Sequence, residues 1–387
     1  MIFGYGGSFQ GSSHVKRGNV CQDASYVKKL NNGIAIAAIA DGVGSCEYSD
    51  IASGIAVRTA VRICADGLQS NPKADMTELI RDAFSQAELE IDKYSLSRDH
   101  LITEYDTTLS LVIYDGRQVT YGHCGDGGII GLTRDGDYIA ITTPQKTDGQ
   151  YVIPLRAGKD TWIIKKASGN YASILLATDG VYDTFFPYLL KGQPVEVYVP
   201  LVRFFMDNRL LKVSRKTIET IQKTRVDYLD SEACASITDD KTLIVLVNAD
   251  VKPKIKADTY YAEPDWDALQ LEWNKKAYPH LYDEEAKESA TEKSEEEPTE
   301  EQAEKPTEEP EVGSEGKSIK EPEGKAIEES GEEPEEELKK ESIEESDEKP
   351  IKESIEESTE SLNEPGPPED NTEKPLIPPV DGTVESL

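Results

Sequence analysis

The sequence has few cysteines and no long apolar run. Its five cysteines are Cys21, Cys46, Cys64, Cys124 and Cys234. Their number is odd and no two share Cys-x-x-Cys spacing, so we expect reduced thiols and a cytoplasmic setting. No stretch approaches the roughly 18–20 apolar residues that cross a bilayer, so no membrane partner is expected. The first residues, MIFGYGGSFQ, have no charged segment followed by an apolar one, and so do not read as a signal peptide. Aromatic residues stop altogether after Tyr282. Basic residues are outnumbered, with 42 Lys and Arg against 75 Asp and Glu, and that balance argues against nucleic acid as a partner.

The acidity is uneven. Residues 281–387 hold 39 acidic and 11 basic side chains, a net charge of -28, and the rest of the chain carries only -5. This back portion is dominated by Glu, Lys, Pro, Ser and Thr, with an imperfect repeat in KESIEESDEKP and IKESIEESTES. Too little apolar surface is available there to offset the entropy of ordering, so a disordered acidic tail is expected over 283–387. Its Ser and Thr residues read either as phosphoacceptors or as parts of a solubilising tail.

The front portion has the periodicities of a folded domain. GIAIAAIA (33–40) reads as a buried strand. Residues 49–68 space Ile51, Ile55, Val57, Val61 and Cys64 at helical intervals. A second helix is expected over 75–97, with Ile80, Ala83, Phe84, Ala87, Leu89 and Ile91 as its apolar stripe. The period then shortens. Segments 108–116, 118–125, 127–136 and 137–144 read as strands of an antiparallel meander, with Asp115-Gly116 and Asp135-Gly136 as hairpin turns. Further strands are expected at 161–166 and 172–178, helices at 181–190, 195–207 and 213–225, and a last strand at 242–248. Helices fall between runs of strands, which argues for α+β layers over a doubly wound parallel sheet. Residues 251–282 keep six aromatics, and DWDALQLEWNKKAY reads either as an amphipathic helix docked on the domain or as a partner-binding element.

Against this pattern one residue type stands out. Asp41, Asp126 and Asp179 each follow an apolar run and precede glycine, Asp239 immediately precedes the last run, and Asp23 lies in VCQDAS. Strand ends are where a rigid scaffold presents functional groups. Carboxylates converging there repel one another unless a cation neutralises them. An all-oxygen set of this kind suits Mg2+ or Mn2+ rather than Zn2+.

The ordered blocks CQDAS, AIADGVGS, YDTTLSLVI, GHCGDGGIIGL, ILLATDGVYD and ITDDKTLIVLV resemble those of the metal-dependent PPM, or type 2C, serine/threonine protein phosphatases, over about residues 5–250. Gly11 to His14, followed by Cys21-Gln22-Asp23, resembles a bacterial subgroup. The resemblance implies a four-layer α-β-β-α sandwich of two antiparallel sheets flanked by helices. It implies a phosphatase domain over 1–250, followed by the aromatic extension at 251–282. It further implies two Mn2+ or Mg2+ ions bridged by a water that attacks phosphorus. On the same ground Asp41 would bridge the ions, Asp23 would act through water or from behind, Asp179 and Asp239 would hold one ion, and Gly42 would hold the other. Asp126 resembles the residue that contacts a weaker third ion. His14, Lys16 and Arg17 would meet the substrate phosphate, with Arg17 best suited to it.

The departures from the family pattern are specific. Gln22 stands where the family has Glu, and Arg17 lies six residues before Asp23 rather than five. Asp106 replaces the Gly before Thr-Thr, Gly127-Gly128 replaces Ser-Arg, and Asp240 replaces Asn. The expected substrates are phosphorylated proteins made by a serine/threonine kinase, and the expected state is a monomer. Two other readings stand beside this one: a catalytically weak signalling adaptor with the same fold that binds partners through its tail, and a hydrolase of small phosphoesters. His123 reads as structural, and Cys21 and Cys124 as small buried residues.

Overall fold

In the computed structural model the described residues are 1–148, 150–207, 209, 218–280 and 282. The acidic segment 283–387 and the start of the helix expected at 213–225 lie outside them.

Two five-stranded sheets form the centre, and every strand pair in them is antiparallel. One sheet runs β1 (Ile2–Phe9), β10 (Lys241–Asn248), β9 (Tyr171–Ala177), β6 (Gly128–Thr133), β7 (Tyr138–Ala140). The other runs β2 (Ala24–Lys29), β3 (Ala35–Ala40), β4 (Leu109–Tyr114), β5 (Val119–Cys124), β8 (Ile163–Lys166). Between them lies a layer that includes Ile39, Val112, Tyr114, Ile174, Leu176 and Ile244. The strands β3, β4, β5 and β9 are buried along their whole length, and β3, β4 and β9 accordingly read as nearly continuous apolar runs rather than alternations.

Two long helices, α2 (Ser49–Ser70) and α3 (Met76–Ser97), cover the outer face of the second sheet. In α2 the small residues Ala52, Ala56 and Ala60 are fully buried, so the helix backbone approaches the strands closely. Helix α3 starts at Asp75, whose side chain accepts hydrogen bonds from the N–H groups of Thr77 (2.7 Å) and Glu78 (3.2 Å). The expected stripe of α3 is buried except for Leu89, which is 41% exposed. Leu89 follows Ala87 by two residues, about 200° around the helix, and so faces solvent. On the outer face of the first sheet lie α4 (Asp179–Phe185) and α5 (Val199–Met206), with Phe185, Val202 and Phe205 in a third apolar cluster. The architecture is therefore the expected four-layer α-β-β-α sandwich.

The expected meander is corrected at one point. β4–β5 and β6–β7 are hairpins, with turns at Asp115-Gly116 and Asp135-Gly136, but β5 and β6 belong to different sheets. The link is Gly125-Asp126-Gly127. Gly125 has a φ of +128°, and a Cβ there would lie 2.5 Å from the Thr108 side chain. The chain crosses between sheets at a point only glycine fits, and Asp126 sits at that crossing.

Three elements near the start escaped the sequence reading: β1, the short helix α1 (Ser12–Arg17) and β2. The glycines in β1 weaken its intrinsic strand signal, and its pairing with β10 supplies what local preference does not. At the other end, α6 (Ile218–Val226) ends before Asp227, and residues 251–277 form a strap on the first sheet's side. Lys254 N–H donates to Arg134 O (2.9 Å), Tyr138 N–H donates to Tyr260 Oη (3.0 Å), and the Arg203 guanidinium lies 4.0 Å over the Tyr261 ring. The strap ends in α7 (Trp266–Ala277), which has no buried residue and meets Tyr188 and Tyr198 edge-on through Trp273 and Trp266.

Candidate metal centre

The register brings all five aspartates to one end of the sandwich. Ala24 pairs with Ala40, so Asp23 and Asp41 are neighbours at that end of the second sheet. Ala177 pairs with both Leu243 and Gly128, so Asp179, Asp239 and Asp126 meet at the same end of the first. One ligand atom from each of Asp41, Asp126 and Asp179 falls in a group whose members all lie within 4.8 Å of one another.

Asp41 is held by its backbone. Its N–H donates to Thr108 Oγ1, and its carbonyl accepts from Thr108 N–H and Thr107 Oγ1, each at 2.8 Å. This is what the Thr-Thr at the start of β4 does. Gly42 N–H donates to Gln22 O (3.1 Å), and a Cβ on Gly42 would sit 2.7 Å from the Ser49 carbonyl oxygen, so no larger residue fits. Asp179 opens α4 and accepts the N–H of Gly180 at 2.7 Å. A Cβ at Gly180 would lie 2.3 Å from Asp240 O, which fixes glycine there too.

Asp23 is buried behind Asp41. Thr178 Oγ1 donates to its Oδ2 at 2.8 Å. Burial, above all, pushes Asp23 up to about 7, against the hydroxyls of Thr242 and Thr178 that favour its charged form. Burial and the charges of Asp126 and Asp239 push Asp179 up to about 6. Asp41 is raised well above the usual range by burial and then by Asp23, Asp179, Asp239 and Asp126. Burial also raises Asp126, and Lys146 opposes it.

Asp239 is exposed, and its Oδ1 accepts the N–H of Asp240 at 2.8 Å. Asp240 faces the other way and is buried. Its Oδ1 accepts Gly11 N–H (2.7 Å), its Oδ2 accepts Gln22 N–H (2.6 Å), and His14 Nδ1 lies 2.9 Å from Oδ1. His14 is thus buried at α1 against Asp240, whereas Lys16 and Arg17 are exposed in the last turn of α1. Gln22 is buried and donates from Nε2 to Ser49 Oγ at 2.7 Å.

Several residues at this centre had no signal of their own in the sequence. Thr178 looks like any strand-end threonine. Lys146, whose Nζ is 3.4 Å from Asp126 Oδ2, lies in a loop 20 residues away in sequence. Asp183, one turn after Asp179, carries a pKa raised by burial and by Asp126, and Lys146 opposes that rise. A cavity of about 560 Å3 is lined by Thr142, Thr143, Pro144, Tyr182, Asp183 and Phe186, and Asp183 brings it next to the centre. His123 and Cys124 have no carboxylate among their side-chain hydrogen-bond partners in the described residues. Burial lowers His123 to about 4, its Nδ1 is 2.8 Å from Ser110 Oγ, and Cys124 Sγ packs against the carbonyls of Ile153 and Pro154. Cys21 is half-buried, and all five cysteines are free.

The donor set fits a hard divalent cation. Every candidate ligand is an oxygen, and among the described residues the buried Asp23 Oδ1 and Asp126 Oδ1 accept no hydrogen bond. A family model for protein phosphatase 2C matches residues 10–218, more than half of the chain. The chain belongs to the protein phosphatase 2C family. It is thereby a metal-dependent protein phosphatase, and Asp23, Asp41, Asp126 and Asp179 fall inside the matched stretch. Solved structures similar to this chain include the serine/threonine phosphatase Stp1 from Staphylococcus aureus, at 15% identity and TM-score 0.44, covering 64% of this chain and 95% of that one. The catalytic domain of the serine threonine protein phosphatase PstP, solved in complex with two manganese ions, is 17% identical with TM-score 0.45, covering 64% and 97%. PppA, described as a key regulatory component of T6SS in Pseudomonas aeruginosa, is 19% identical with TM-score 0.42, again covering 64% and 97%. No curated protein matches the chain. No helix among the described residues is long and apolar enough to cross a membrane.

Proposed function

We propose that this protein phosphatase 2C member removes phosphate from phosphoserine and phosphothreonine of proteins by direct attack of water at a two-cation centre. The observation that carries this is the convergence of Asp41, Asp126 and Asp179 at one end of both sheets, with Asp23 and Asp239 near enough for their charges to act on Asp41. Asp41 would bridge two Mn2+ or Mg2+ ions, Asp179 and Asp239 would hold one, and the Gly42 carbonyl would hold the other. When bound, such ions lower the pKa of a water nucleophile and neutralise charge on the phosphoryl oxygens.

The remaining roles belong to the chain. Thr107 and Thr108 lock the Asp41 backbone, so its carboxylate is set before substrate arrives. Asp23, fixed by Thr178, orients Asp41 from behind. Asp240 draws the backbone at Gly11 and Gln22 together and keeps His14 in place, which leaves Arg17 free to meet the phosphate from the surface. The cavity beside Asp183 would receive the residues that flank the phosphorylated side chain. The free thiols are consistent with a cytoplasmic setting, with the substrates being products of a serine/threonine kinase.

The test is hydrolysis of a phosphothreonine peptide with Mn2+, with Mg2+ and with EDTA. Turnover that needs the cation and disappears with EDTA is expected. Equal turnover in EDTA would refute the two-cation centre.

A further inference from the structure

Lys146 is not a stray surface lysine. Its neighbour Gln145 is tied to the crossing between the sheets from both sides: Gln145 N–H donates to Gly125 O (2.8 Å) and Gly125 N–H donates to Gln145 Oε1 (3.1 Å). The Gln145 amide also donates to Thr161 O at 2.8 Å. Lys146 itself bridges to Val152 across the loop. The backbone of Lys146 is therefore fixed one residue from the strut that holds Gly125, and Asp126 follows Gly125 directly. From there Nζ reaches 3.4 Å from Asp126 Oδ2, although the Lys146 side chain remains 36% exposed. Asp126 Oδ1, on the other side of the same carboxylate, has no hydrogen-bond partner among the described residues.

We propose that the Lys146 ammonium is a built-in counter-cation for Asp126 and restricts this centre to two tightly held divalent ions. The proposal rests on the metal-dependent reading above. A lysine ammonium is a compact point charge with three donors, and a divalent ion placed on the same carboxylate would meet it at short range. Asp126 would then be neutralised by the protein itself, leaving Asp41, Asp179 and Asp239 to the ions. With Lys146 removed, Asp126 becomes a free carboxylate facing a cluster of oxygens, which is the setting a further hard cation prefers.

The experiment is calorimetric titration of the full chain with Mn2+, comparing wild type with Lys146→Gln, Lys146→Arg and the double variant Lys146→Gln/Asp126→Asn. Two tight equivalents are expected in wild type and in Lys146→Arg. Lys146→Gln should take up a third, bound at least ten-fold more tightly than any third equivalent in wild type. The double variant should lose it again, which separates this site from weak binding by the acidic residues after 282. An unchanged stoichiometry and affinity in Lys146→Gln would overturn the role of Lys146. Absence of tight Mn2+ binding in wild type and variants alike would overturn the two-cation centre with it.

Discussion

At the scale of single residues, the carboxylates at this end of the sandwich depend on the backbone that presents them: Thr107 and Thr108 hold Asp41, and Gly180 N–H holds Asp179. Asp41 and Asp179 were legible because glycine follows each at the end of an apolar run. The glycines prove to be demanded by backbone contacts, with Ser49 in one case and Asp240 in the other. Asp240 was less legible: nothing in Asp239-Asp240 says which carboxylate faces the cluster and which turns inward to hold Gly11 and Gln22. Removing it should leave two buried N–H groups without acceptors, so Asp240→Ala should cost about 2–4 kcal/mol in urea unfolding, and Asp240→Asn clearly less. Asp41→Asn should behave oppositely. It should lower phosphopeptide turnover by roughly 10³-fold, since several kcal/mol of transition-state stabilisation is lost. In EDTA it should also raise the melting temperature, because it removes one charge from a repelling set. A destabilised Asp41→Asn would contradict the picture of mutual repulsion. The pH dependence follows with its sign. Asp23 and Asp179, pushed up to about 7 and about 6, bind protons more tightly folded than unfolded. Their contribution to stability is therefore fully present below about pH 4 and is lost as pH rises through 6 and 7. In EDTA the melting temperature should fall between pH 5 and pH 8, and saturating Mn2+ should flatten that slope. Calorimetry across this range checks it, and identical slopes with and without Mn2+ would count against cation binding at these carboxylates.

Whole elements were legible where one periodicity dominates. The two long helices and the fully buried strands could be read off because helical stripes and continuous apolar runs are strong local signals. β1 and β2 could not, because their stability is borrowed: β1 is Gly-rich and leans on β10, and β2 is an edge strand with Lys28 and Lys29. The assignment of β5 and β6 to different sheets was likewise invisible, since a hairpin and a crossing both look like two strands joined by glycine. The strap at 251–277 belongs to this scale. It contributes Val251, Tyr260 and Tyr261 to the apolar cluster on the first sheet's outer face, and its Lys254 N–H and Tyr260 hydroxyl bond to the backbone of the β6–β7 hairpin. We expect a chain cut after residue 250 to lose roughly 2–4 kcal/mol and melt about 5–10 °C lower than a chain cut after residue 282. Coincident melting curves would show that the strap adds nothing to the domain.

At the scale of the whole molecule the dominant quantity is charge. A segment with 39 acidic residues is covalently attached to a domain whose own net charge is only -5. Such a polyanion enriches cations and depletes anions in its own neighbourhood, over distances set by the Debye length of about 8 Å at physiological ionic strength. The phosphorylated residue of a substrate is itself anionic, so the residues that flank it decide whether the attached charge attracts or repels the peptide. Basic flanks should be favoured. On deleting 283–387, the KM for a phosphopeptide flanked by Arg and Lys should rise by roughly ten-fold at 50 mM salt, and that for an acidic-flanked peptide should fall. Both differences should shrink at 0.5 M salt, with kcat for p-nitrophenyl phosphate unchanged throughout. Screening is the discriminating observation. A KM difference that persisted at high salt would mean that the segment acts through a specific contact, because only the long-range field is abolished by added ions.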